Sequence, residues 1–409
     1  MSAVTSSSIA STSRAATPFL VWLLAGLMAL QPLATDFYLP TLPAIAVAFG
    51  APVAAAQWTL SAFVIAVGVW QLIAGPLSDR YGRLPVMLGG VAIYGVGALV
   101  CMAAPALEVL IVGRVLQGVG VCSIMVAGRG VVRDVFAPQD GARVLAAAGT
   151  IMSIAPLVSP LLGAGLLAVA GWRAVFAALA LISAGLLALA WRRLAETNLK
   201  RDRRALAWKP MLSTYRRLLA SPGFRAYALT SASTYGGLFA FISGSSFVLI
   251  RVLGLSAMAM AISFGLMVSG YLIGSFACQR LLRRRGIQRT VYLGAGLQLV
   301  AGAAMLAFAL AGVHHAAAIV VPMMIFGVSH GLLQPPSQAG VMAEFPVNAG
   351  AAAALSGAIT MLAASLIGGL MGVTYDGSVY PMVLTISLIS LTTFTLANIL
   401  VRRDGAIAH

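Results

Sequence analysis

Long apolar runs, separated by short polar segments, make up most of this sequence. A helix that crosses a bilayer needs about 20 apolar residues. About twelve runs meet this length, and they lie at 19–45, 54–78, 84–104, 107–132, 142–168, 173–193, 224–250, 257–280, 287–310, 315–340, 349–373 and 377–401. Only 9% of the 409 residues are charged and 60% are hydrophobic. A soluble chain cannot bury so large an apolar fraction, so soluble enzymes, disordered chains and secreted disulfide-rich proteins are excluded. The sequence predicts an all-α membrane protein with twelve transmembrane helices.

The basic residues are divided unevenly between the two sides that these runs define. Of 26 Lys and Arg residues, Arg173 and Arg251 fall on one side and Arg114 falls within a run, whereas all the others fall on the opposite side. Lys and Arg favour cytoplasmic loops, so this distribution predicts that both termini are cytoplasmic. The net charge of +16 is then an orientation signal. We expect membrane lipids as partners, and no nucleic acid.

The longest polar stretch separates six runs from six and suggests the domain organisation. We expect a disordered cytoplasmic tail, a six-helix bundle, a cytoplasmic linker, a second six-helix bundle and a C-terminal tail. Their bounds are 1–18, 19–193, 194–223, 224–401 and 402–409. Two equal halves are the layout of transporters that are built from two six-span repeats and bind substrate between them. The bundles are therefore expected to be pseudo-symmetric.

The loop at 75–83 matches the signature loop of the major facilitator superfamily. Its glycine, acidic and basic positions are Gly75, Asp79, Arg80, Gly82 and Arg83. Asp79 stands at the C-terminal end of its helix, which is unfavourable for a negative charge. The resemblance implies that Asp79 contacts the eleventh span near Asn348, and that Arg83 pairs with Asp134 beside Arg133. We call residues 75–83 with Arg133 and Asp134 the gating loop. The resemblance implies that its contacts close the cytoplasmic side of the protein and break when that side opens. A solvated turn is the alternative.

Three further segments resemble motifs of the twelve-span drug/proton antiporters. They are ATDFYLPTLP at 34–43, RVLQGVG at 114–120 and APLVSPLLGAG at 155–165. Together they resemble the bicyclomycin- and chloramphenicol-resistance branch of that superfamily, which implies the major facilitator fold. Pro156 and Pro160 should bend the fifth span because each removes a backbone hydrogen bond. This bend either serves transport or is a generic kink.

Asp36, within the first run, is the candidate for the proton-coupling carboxylate. A charge inside a span costs at least about 2.5–3.5 kcal/mol, so its presence needs a reason. A carboxylate that holds either a proton or a substrate couples two opposite fluxes. Arg114 keeps its charge, so it either tunes Asp36 as a second coupling residue or only supports the scaffold. The alternative role for Asp36 is a structural ion pair with Arg114.

Several further residues are candidates for binding the substrate. The proposed set is Asp36, Tyr38, Pro156, Tyr235 and Phe239. Its aromatic members would line a pocket for an amphipathic compound, although aromatic residues are also common at membrane interfaces. His330, in the tenth run, either carries a proton or makes hydrogen bonds between helices.

The expected function is proton-coupled efflux of small amphipathic drugs, such as phenicols or bicyclomycin. The sequence has no phosphate-binding glycine loop, metal cluster or nucleophile constellation, so we expect no enzyme activity, no cofactor and no metal. Export by alternating access would take place in the bacterial inner membrane, with protons and a small-molecule substrate as partners and a monomer as the working unit. The alternatives are a proton-coupled exporter of a native metabolite such as an amino acid, a nutrient/proton symporter, and a non-transporting membrane sensor.

Overall fold

Every regular secondary-structure element in the part that the structure describes is a helix. A computed structural model describes residues 18–136, 138–199 and 201–405. The α-helices are α1 (Pro18–Asp36), α2 (Leu42–Ala48), α3 (Val53–Tyr81), α4 (Arg83–Ala103), α5 (Leu107–Val135), α6 (Pro138–Ala170), α7 (Trp172–Arg193), α8 (Trp208–Ala220), α9 (Pro222–Ser245), α10 (Ala257–Leu310), α11 (Ala317–Ala343), α12 (Ala349–Thr374) and α13 (Tyr380–Gly405). A π-helical segment, Ser246–Val252, and two 3₁₀ helices, Leu39–Thr41 and Pro346–Asn348, complete the described elements.

Most of these helices have the dimensions of membrane spans. Among the described residues, ten helical segments are long and apolar enough to cross a bilayer. The 54-residue helix α10 is interrupted at Gly286, whose φ of 73° is non-helical. Its two parts, before and after Gly286, match the predicted runs at 257–280 and 287–310. The all-α membrane class is confirmed, whereas twelve crossings and cytoplasmic termini stay predictions.

The first apolar run differs from the expected single helix over 19–45. α1 ends at Asp36, and the chain continues through a turn into the 3₁₀ helix and the short helix α2. Pro40 and Pro43 follow closely, and neither can donate a backbone hydrogen bond to a preceding carbonyl. The continuous apolar pattern therefore hides a break. As a result, Asp36 lies at a helix C-terminus inside the bundle.

We call α1–α7 the first half and α9–α13 the second half. The two halves meet along two pairs of helices and at one end of the bundle. α3 packs against α12, and α6 packs against α10. Three side chains also donate to backbone carbonyls across the halves: Gln57 Nε2 to Ser243 O at 3.0 Å, Ser246 Oγ to Leu39 O at 2.8 Å, and Arg251 Nη2 to Pro43 O at 3.0 Å. These bonds join the halves at the end opposite the one that carries residues 78–83, 194–221 and 280–289, which we call the basic end.

Candidate transport site

Arg114 lies at the centre of the first half, where close helix packing positions it. Gly113, beside it on α5, faces α4 so closely that an added Cβ would lie 2.5 Å from Cys101 Sγ and 2.9 Å from Gly97 O. Only a residue without a side chain allows this approach. The packing places the Arg114 side chain between α1 and α3, where its exposed fraction is 0%.

The guanidinium of Arg114 is held by carbonyl oxygens. Nη1 donates to Ala34 O at 2.8 Å and to Gln117 Oε1 at 3.0 Å, and Nε donates to Thr59 O at 3.4 Å. Because α1 ends at Asp36, the carbonyl of Ala34 belongs to the last turn of a helix and has no partner within it. A cation at a helix C-terminus is favourable. Arg114 therefore caps the first helix where that helix breaks.

Two aromatic rings complete the surroundings of Arg114. Its Cζ atom lies 4.6 Å from the centroid of Tyr38 and 4.5 Å from that of Phe63. A guanidinium over an aromatic face gains about 2 kcal/mol when it is desolvated. Nη2 is buried and has no hydrogen-bond partner. Within the described part of the chain, the groups around this charge are therefore dipoles and rings, and no carboxylate pairs with it.

Asp36 is buried without a cationic partner in the described part of the chain. Its exposed fraction is 5%, and its Oδ1 accepts a hydrogen bond from Thr35 Oγ1 at 2.9 Å. Asp36 and Arg114, both described, form no ion pair, so the structure does not support the alternative of a structural salt bridge. The carboxyl is close enough to the Tyr235 hydroxyl for an electrostatic interaction. Asp36 thus lies within electrostatic range of the second half of the molecule.

The other predicted residues of the first half lie around this break. Tyr38 is completely buried, shares a hydrogen bond with the Thr59 hydroxyl and has its ring centroid 5.5 Å from that of Phe176. It therefore faces the interior of its own half. Helix α6 continues through both Pro156 and Pro160, so its predicted bend stays a prediction.

The predicted residues of the second half form an aromatic cluster around His330. Tyr235 stacks on Phe239 with centroids 6.4 Å apart. The imidazole centroid of His330 lies 6.2 Å from Tyr235 and 5.6 Å from Tyr271. Its Nδ1 lies 3.1 Å from Thr234 Oγ1, within hydrogen-bonding distance.

A network of neutral polar groups continues from this cluster, and the sequence analysis missed it. Gln298 is completely buried. Its Oε1 accepts from Thr234 Oγ1 at 2.9 Å and from Ser329 Oγ at 3.4 Å, while its Nε2 donates to Thr393 Oγ1 at 3.2 Å. The sequence held one signal for this network, since Gln298 lies within an apolar run and a buried amide needs hydrogen-bond partners.

The gating loop is organised around Arg83. Its Nη1 lies 2.7 Å from Asp79 Oδ1, and its Nε lies 2.9 Å from Asp134 Oδ2. Arg133 is farther away, at 4.0 Å from Asp79 and 3.8 Å from Asp134. The structure thus brings together four of the predicted loop residues. Through Arg83, the loop joins α3, α4 and α5 at the basic end.

The remaining loop residues have simpler surroundings. Arg80 lies 5.4 Å from the ring centroid of Tyr81, measured from its Cζ atom. An added Cβ at Gly75 would meet open space. Among the ion pairs and hydrogen bonds of the described residues, none joins Asp79 to Asn348, and the expected approach of Asp79 to the eleventh span stays a prediction.

Glu196 is a further residue of this loop that the sequence analysis missed. Its carboxylate accepts from the backbone amides of Arg83 at 2.9 Å and Leu84 at 3.3 Å, at the beginning of α4. Gly82 has a φ of 110°, and an added Cβ there would overlap Glu196 Oε2. An anion at a helix N-terminus satisfies free amides and the helix dipole. Glu196 therefore fixes the linker to the gating loop.

The comparisons with known proteins identify the family. The family model described as Major Facilitator Superfamily matches residues 24–400. The chain belongs to this superfamily. It is 30% identical to a chloramphenicol resistance protein of Pseudomonas aeruginosa over 80% of this chain and 77% of the relative. It is 29% identical to multidrug resistance protein D of Escherichia coli (strain K12), over 86% of this chain and 88% of the relative.

A solved structure supports the fold of this superfamily member. A POT family transporter in complex with 5-aminolevulinic acid superposes with a TM-score of 0.74 at 12% identity, covering 96% of each chain. The resemblance to the drug/proton antiporter branch is confirmed by the relatives. This protein is therefore a multi-pass membrane transporter rather than an enzyme. Among the described residues, no cluster of three His, Cys, Asp or Glu side chains is arranged to hold a metal ion.

Proposed function

We propose that this transporter exports small amphipathic drugs in exchange for protons, across a bacterial inner membrane that it crosses twelve times. Alternating access would move the halves about their shared α3–α12 and α6–α10 contacts, with Asp36 as the coupling carboxylate. The names of the two relatives support drugs as the substrate class. The ion pairs around Arg83 hold α3, α4 and α5 together at the basic end, so this end of the first half would move as one unit in each cycle.

The observation that carries this proposal is the buried Asp36 carboxyl without a cationic partner among the described residues. A charge inside a membrane protein normally pairs with another group or serves a function. Arg114, the nearby cation, is already bound by the carbonyls of Ala34 and Thr59. Asp36 is thus free to hold a proton in one state of the cycle and to release it for a substrate in another.

The charge balance of the site favours a neutral or zwitterionic substrate. The opposite charges of Asp36 and Arg114 balance each other around the break after α1, and the residues around Tyr235 and His330 add aromatic surface. Exchange of one proton for a neutral compound uses about 1.4 kcal/mol per pH unit. This exchange moves one net charge and therefore also gains about 2.3 kcal/mol per 100 mV of membrane potential. Exchange of a proton for a monovalent cation moves no net charge and gains nothing from the potential.

Proton release on addition of a drug tests the proposal directly. Inverted membrane vesicles that contain the protein would receive chloramphenicol, bicyclomycin or the lipophilic cation tetraphenylphosphonium. We expect proton release with at least one neutral compound, and complete loss of this release in Asp36→Asn. The Asn side chain is nearly isosteric but cannot exchange a proton.

A matched variant controls for the substitution itself. Asp376→Asn makes the same chemical change at an exposed loop position, and it should leave proton release unchanged at equal protein levels. Release that persists in Asp36→Asn would remove Asp36 from the coupling role. Absence of release with every compound, with the protein present, would overturn drug antiport and point to a metabolite as substrate.

A further inference from the structure

Helix α8, within the linker, packs one face against the transporter. Leu218 is 1% exposed and belongs to a cluster with Phe224 and Leu355 of the second half. Tyr215 donates its hydroxyl hydrogen to Leu72 O of the first half at 3.0 Å. Helix α8 therefore touches both halves at the basic end.

The outward surface of α8 divides into two stripes. Successive residues of a helix are about 100° apart. Trp208, Leu212 and Leu219 lie within about 40° of one another on this wheel, and they are 63%, 39% and 44% exposed. This apolar stripe lies directly beside the face that packs on the bundle.

The second outward stripe is basic. It contains Lys209, Arg216 and Arg217, all exposed, within about 100° on the wheel. Around the helix the order is therefore packed face, exposed apolar stripe and basic stripe. A helix with adjacent apolar and basic faces lies in the plane of a membrane surface, with the apolar face in the acyl boundary and the basic face among the headgroups.

We propose that α8 is a binding surface for anionic phospholipid headgroups, with Lys209, Arg216 and Arg217 as its phosphate contacts. The occupant follows from charge and shape, because a strip of three cations beside exposed Trp and Leu side chains matches the boundary of an anionic leaflet. This inference does not depend on the transported substrate. Since α8 touches both halves, bound lipid would also stabilise the arrangement in which Tyr215 contacts α3.

Hydrogen exchange of the full chain in nanodiscs tests this surface. The protein would be compared in phosphatidylcholine alone and in phosphatidylcholine mixed with phosphatidylglycerol. Each basic residue near an anionic surface strengthens attachment about fivefold. We expect exchange across 208–220 to slow about tenfold or more with phosphatidylglycerol, and the triple variant K209Q/R216Q/R217Q to lose this slowing.

A matched triple variant at the same end separates this surface from general charge. R283Q/R284Q/R285Q removes three exposed charges near Gly286, and it should keep the slowing over 208–220. R216K/R217K keeps the charges and should also keep the slowing. High salt on the unsubstituted protein should abolish it, without any change of sequence. Equal exchange in the two lipid mixtures, or equal loss in both triple variants, would overturn the proposal.

Discussion

The two halves of this transporter bury different kinds of polar group. Among the described residues, the buried charged side chains are Asp36, Arg83 and Arg114, and all three belong to the first half. The buried polar side chains of the second half are hydroxyls, the Gln298 amide and the His330 imidazole. The halves share a helical layout but differ in chemistry.

This difference suggests that the two halves have different functions in transport. A buried charge is costly and is kept where it does something that a neutral group cannot do. Neutral donors and aromatic rings bind amphipathic compounds without requiring a compensating charge. We infer that the first half carries the proton chemistry and that the second half carries most of the substrate selectivity.

The largest effect on stability should come from removing the buried arginine. Arg114→Leu removes the donor to Ala34 O at the end of α1 and to Gln117 Oε1, at about 1–3 kcal/mol for each buried group. We expect a loss of about 3–5 kcal/mol in the free energy of unfolding. Gln298→Leu in the second half should cost about 1–2 kcal/mol, because Thr393 retains a hydrogen bond to its own helix.

Thermal unfolding in one detergent would compare these two variants. Arg114→Lys should recover only part of the loss, because an ammonium cannot reproduce the planar fork that spans two carbonyls. Equal destabilisation by Arg114→Leu and Gln298→Leu would contradict the contrast between a charged and a neutral half.

A smaller effect is expected at His330, and it should fall on substrate affinity. His330→Phe removes the hydrogen bond to Thr234 but keeps an aromatic ring beside Tyr235 and Tyr271. Without this bond between two side chains the ring at position 330 is no longer held in place, so we expect KM to rise by at most about tenfold, the equivalent of one hydrogen bond, with the number of protons per drug unchanged. Thr234→Val should raise KM in the same direction. Loss of proton release in His330→Phe would instead place coupling chemistry in the second half.

The smallest effect should follow from neutralising the carboxylate that caps α4. Glu196→Gln keeps a hydrogen-bond acceptor but loses the charge at the helix N-terminus, which costs about 1 kcal/mol. Thermal unfolding measures this loss against Glu108→Gln, which neutralises an exposed acid in the first turn of α5. Glu108 is exposed and, among the hydrogen bonds of the described residues, accepts none from the amides of α5, so the control should change stability by less than about 0.5 kcal/mol. A similar loss in both variants would reduce Glu196 to a general surface charge.

The helices could be predicted from the sequence because a membrane span requires a long run of apolar residues. The runs beginning at 54, 84 and 173 start within a residue of α3, α4 and α7. The break after Asp36 could not be seen from hydropathy, since the apolar pattern continues beyond it. Pro40 and Pro43 were the local signal, but a proline alone does not distinguish a kink from an end.

The site residues were predictable one by one, whereas their partners were not. Asp36 and Arg114 stand out because a charge within an apolar run is expensive. Nothing in the sequence indicates that Arg114 binds the carbonyl of Ala34 rather than the carboxylate of Asp36. Glu196 reaches the amide of Arg83 across 113 positions of sequence. Such contacts depend on tertiary structure, which local patterns do not encode.

The anchoring of the linker limits how far the halves can separate at the basic end. Asp202 donates its backbone amide to Asp79 O of the first half at 3.1 Å, while α8 packs on the second half through Leu218. The free tether is thus the stretch from Asp202 to Trp208, although the whole linker is much longer. Fully extended, this stretch reaches about 20 Å. In the transport cycle proposed above, once the Tyr215 hydrogen bond to α3 is released and while the other two attachments hold, that length would limit how far Asp79 separates from α8.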